Sequence, residues 1–137
     1  MKTRLLFLCW LLVGAVSAAD LPTVTVEHLY YLQARAERVK KFKQDEMVNY
    51  CIAQKIGGAA FESLYAELFA MRLTLMKMQK LDERPVTDPQ VVALTRKYEV
   101  YKEILREEAG RVQDGILHEG QVASDALSAI GRAQQQQ

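Results

Sequence analysis

Twelve apolar or small residues recur through the last third of the chain at one repeat: Val91, Leu94, Tyr98, Tyr101, Leu105, Ala109, Val112, Ile116, Gly120, Ala123, Leu127 and Ile130. Their mean spacing is about 3.5 residues, the repeat of a helix face, whereas a strand alternates its faces every second residue. A helix over residues 88–131 would be on the order of 60 Å long, about twice the width of a small domain. Gly110, Gly115 and Gly120 lie within it, each costing about 1 kcal/mol relative to Ala. The seam stays in phase through all three, so one continuous helix is expected. A fourth helix would arise only from a break near Gly115–Gly120.

Two further blocks carry the same periodicity, and no stretch shows a convincing strand pattern. The first spans about 26–56, with Leu29, Leu32, Ala36, Val39, Phe42, Val48, Ile52 and Ile56 along its stripe. Its register shifts near Lys43–Glu46, and Gly57-Gly58 ends it, with Gly57 as a left-handed C′ residue. The second, about 60–81, is apolar around most of its circumference. Glu62, Glu67, Arg72, Lys77 and Lys80 interrupt it, so it does not read as a membrane span. Residues 82–87 with Pro85 form the next break, and Thr87-Asp88-Pro89-Gln90 reads as a capping box with Thr87 at N-cap.

Short breaks favour antiparallel neighbours. The expected fold is all-α: a three-helix up-down-up antiparallel bundle of unequal, long, coiled-coil-like helices. The helical domain would cover 20–133, followed by a frayed Gln tail over 134–137. The middle helix is too short to cover both others, so overhanging apolar surface needs a partner.

The first nineteen residues read differently. Lys2 and Arg4 precede a twelve-residue apolar run, Leu5–Val16, and then Ser17-Ala18-Ala19. This is the layout of a cleaved secretory signal peptide, and the run is shorter than the roughly 20 residues of a spanning helix. After cleavage, 16 basic side chains face 17 acidic ones. So even a balance offers no footprint for nucleic acid. Cys51 remains as the single cysteine, which leaves a buried small hydrophobe or an intermolecular disulfide. The absence of paired cysteines favours a bacterial periplasm over a eukaryotic extracellular space.

Catalytic and cofactor chemistry is sparse. His28 and His118 are the only histidines. No phosphate loop, paired-cysteine metal motif, haem-attachment motif or nucleophile elbow is present. Asp114 and His118, at i and i+4, read as a solvent-facing ion pair, since a metal site needs three or four ligands. Met47, Met71, Met76 and Met78 read as core filling. The basic run Arg35–Lys43 spreads around its helix, and Glu99–Arg111 reads as a salt-bridged exposed face.

These residues point to an exported, non-catalytic interaction protein with no cofactor and no metal. It would associate with itself or another exported protein through an apolar helix face carrying Phe61, Leu64, Tyr65, Leu68, Phe69 and Met76. The alternative is a ligand-binding bundle holding haem, a metal or a small apolar molecule.

Overall fold

The computed structural model describes residues 24–137; the signal-like segment over 1–19 lies outside the described residues. Among the described residues there are four helices and no strands: α1 (Val26–Val39), α2 (Gln44–Ala53), α3 (Gly58–Lys80) and α4 (Pro89–Gln135). The other three pack mainly on α4. The long seam is therefore a spine, running unbroken for 47 residues, about 70 Å. It also carries Gln134 and Gln135, past the point where fraying was expected.

The single first helix expected over 26–56 is two helices. The chain turns at Lys40–Lys41, and α2 starts after an extended Lys43. Glu46, at the third helical position, accepts a hydrogen bond from the Lys43 N–H at 2.7 Å. Gln113 on α4 holds the break from the other side, donating to the carbonyls of Val39 (2.7 Å) and Phe42 (3.2 Å). Carbonyls at a helix end have no intrahelical partner, so this side chain meets a need the break creates. The chain then folds back. Arg35 Nε donates to the Tyr50 hydroxyl at 3.2 Å, and the Phe42 and Tyr50 rings lie 5.5 Å apart. In a straight helix, residues 35 and 50 would be separated by about 22 Å.

Directions follow from paired residues. Arg35 lies 3.8 Å from Glu119, Val39 meets Gln113, and Asp45 pairs with Arg106. Gly57, Phe61 and Leu64 share a pocket with Ile104, Glu108 and Val112, while Leu68 and Arg72 share one with Tyr98 and Lys102. Both α1 and α3 thus run opposite to α4, α1 on its C-terminal half and α3 on its N-terminal half. This corrects the three-helix up-down-up order, because the turn at Lys40–Lys43 inserts an extra reversal.

Helix ends follow local chemistry. Thr25 accepts from His28 N–H at 3.2 Å. Lys55, at φ 54°, takes the left-handed position after α2, with Lys55 N–H bonded to Ile52 and Ile56 N–H to Cys51. Gly57 is left-handed too (φ 99°), but as the residue preceding α3 rather than the C′ residue of α2. The cap of α4 is Asp88, whose carboxylate accepts from the N–H groups of Gln90 (2.8 Å) and Val91 (3.4 Å). Thr87 lies one residue too early because Pro89 occupies the first helical position.

The core sits where α1, α2 and α3 meet the middle of α4: Ala36, Val39, Met47, Val48, Cys51, Phe61, Leu105, Ala109 and Ile116. Leu105, Val39 and Met47 are essentially inaccessible, each burial contributing about 1.5–3 kcal/mol. Gly115 is exposed, and a Cβ there would meet nothing. Gly115→Ala should therefore raise stability by about 0.5–1 kcal/mol, measured by chemical denaturation.

Candidate functional site

The sequence of α3 is rich in Ala, Leu, Met, Glu and Lys, all good helix formers. It carries two seams. The inner one is Phe61, Leu64, Leu68, Met71, Leu75 and Met78, with alternating steps of three and four residues. All six are buried or half-buried, and α3 packs on α4. The outer one is Glu62, Ala66, Phe69, Leu73, Met76 and Lys80, with alternating steps of four and three. All six are exposed. The two seams lie about 150° apart around the helix, at 100° per residue. Two seams on one helix are what make its sequence apolar nearly all round.

The six residues singled out above divide between these surroundings. Phe61 is buried in the core, and Leu64, Tyr65 and Leu68 pack half-buried against it. Phe69 and Met76 remain 54% and 43% exposed. Met76 is therefore not core filling, unlike Met47 and Met71. Leu73, 50% exposed, completes the outer stripe. The four-three spacing of the outer six was the signal that could have found it.

A groove of about 430 Å³ borders this stripe. Val48, Leu68 and Leu105 give it apolar surface, Tyr65, Phe69 and Tyr98 aromatic surface, and Asp45, Arg72, Lys102 and Arg106 charge. Arg106 forms a two-point contact with Asp45, at 2.9 and 3.1 Å. That contact holds the Asp45 carboxyl below its ordinary range. Its side chain is 67% exposed, so the pair orients α2 on α4 more than it stabilises the fold.

The other candidates disperse. His28 and His118 are both exposed, so neither faces the interior as an axial ligand would. Asp114 and His118 form no ion pair within 4 Å among the described residues, since two solvated groups gain little by pairing. On the charged face of α4, Glu99 pairs with Lys102 and Glu103 with Arg106, while Arg111 pairs with Glu108 rather than Glu107. Arg35 and Arg38 of the basic run are engaged by Tyr50. Among the described residues, no three His, Cys, Asp or Glu side chains cluster to hold a metal. No family model, curated protein or solved structure matches the chain. Among the described residues, no helix is long and apolar enough to cross a membrane.

Cys51 is fully buried and unpaired. A disulfide needs its sulfurs about 2 Å apart, so a bridge to another chain requires α2 to leave the core. Burial pushes the thiol above its ordinary pKa, with Arg35 opposing weakly. The unfolded thiol ionises first as pH rises through about 9, so stability should fall there. Cys51→Ala should remove that part of the decline, read from denaturation midpoints at pH 8 and pH 10.

Proposed function

We propose that the protein is an exported, non-catalytic helical interaction protein, docking on another copy or another exported protein through the outer face of α3. One observation carries the reading: Phe69, Leu73 and Met76 form a contiguous exposed apolar stripe on α3. Single exposed apolar residues are ordinary, whereas a stripe edged by charge marks a contact surface. Residues 1–19 support export, and the single cysteine after them favours a periplasm. The three-four spacing of both α3 seams supports a coiled-coil-like use of its faces. A photo-crosslinking residue at Leu73, in the producing host, tests the reading. Crosslinked species should form there and not at exposed Glu107 on α4. Absence of crosslinks at Leu73 would contradict it.

The groove beside the stripe favours a second reading, a ligand-binding bundle, because about 430 Å³ is within the range of small-molecule sites. Its occupant would be a small amphipathic molecule with an anionic group facing Arg72 and Lys102. Extra mass on a single purified chain would favour this reading over docking.

A further inference from the structure

The outer seam of α3 has the same spacing from both ends, steps of four and three residues placed symmetrically about position 71. Its order is Glu62, Ala66, Phe69, Leu73, Met76, Lys80, an acid at one end and a base at the other. Neither Glu62 nor Lys80 is ion-paired among the described residues. We infer that the partner seated on this face is a second copy of the chain, its α3 laid antiparallel across the first about a two-fold axis near position 71. The inference rests on the docking reading and names its partner.

In that register Glu62 of one copy meets Lys80 of the other, Ala66 meets Met76, and Phe69 meets Leu73, each pair occurring twice. Small faces large and acid faces base along a seam of about 27 Å. Heptad spacing brings these positions into knobs-into-holes contact, and a two-fold interface requires this self-complementarity. A parallel arrangement would instead set Glu62 against Glu62 and Lys80 against Lys80. Arg72, which is exposed and lines the groove, flanks the seam near the axis.

Sedimentation of the purified full chain tests the inference. A seam of this size lies at the small end of specific interfaces, so a dimer is expected at concentrations on the order of 100 µM. Glu62→Lys alone, or Lys80→Glu alone, sets like charges together at both ends and should weaken the dimer about tenfold. The double exchange Glu62→Lys with Lys80→Glu should restore it. Both residues are exposed, so helicity and unfolding midpoint in dilute solution should change only by the helix-end charge effect, about 0.3–1 kcal/mol for each exchange. A monomeric wild-type chain, single exchanges without effect, or a double exchange that fails to restore the dimer would each overturn the inference. Monomeric protein whose Leu73 still crosslinks to a different protein would overturn self-pairing alone; no crosslink at all would overturn docking as well.

Discussion

Gly120→Val should separate α1 from α4 and lower stability by at least about 2–3 kcal/mol. A Cβ at position 120 would lie 2.1 Å from the Ala36 Cβ and 3.4 Å from the Leu32 carbonyl oxygen. Neither is the end of a flexible side chain, so the helices themselves must part. The contact is central to the seating of α1, with Ala36 and Gly120 both buried. Circular dichroism should show a lower unfolding midpoint, and hydrogen exchange should show lost protection in α1 before α3. Gly120→Ala should give the same pattern to a lesser degree. Gly115→Ala, five residues away on the same helix, should do the opposite. Loss of protection spread evenly over all helices would contradict the account of this contact.

Phe61→Ala should cost about 3–5 kcal/mol of unfolding free energy, whereas Phe69→Ala should change it by no more than about 0.5 kcal/mol. Both are phenylalanines on α3, eight residues apart. Phe61 is 4% exposed and packs in the core with Cys51, Leu105 and Ala109; Phe69 is 54% exposed. Removing the first ring leaves a cavity, and removing the second leaves solvent where solvent already was. Denaturant titration in dilute solution, where association is absent, separates the two effects. Similar losses for both would mean that α3 does not divide into a folding seam and a docking seam.

Periodicity made the helical class and the spine of α4 legible in the sequence. The seam from Val91 to Ile130 runs in phase through three glycines, and Gly120 proves to be a packing position rather than a breaker. The division of the first block was less legible. A shift near Lys43–Glu46 was visible, but Lys43 carries no side-chain acceptor of the kind that marks a helix start. Only Glu46, bonding back to the Lys43 N–H, and Gln113, seventy-odd residues away, make the break coherent. Such a contact leaves no local signal. The width of the apolar girdle on α3 was plain, but its resolution into two seams was not. Composition alone does not say which apolar side faces α4, so Phe61 and Phe69 read alike until the packing separates them. In the sequence Glu62 and Lys80 only interrupt an apolar block; their positions at the two ends of one seam gain meaning because that seam is exposed.

A native mass spectrum of the protein, purified from its own host without reductant and held at a concentration on the order of 100 µM, tests the docking claim most directly. The expected result is an assembly of two chains, or of this chain with another protein, that survives added reductant, because packing on α3 holds it. A bare single chain, a single chain carrying only a small ligand, or an assembly that collapses on reduction would contradict it.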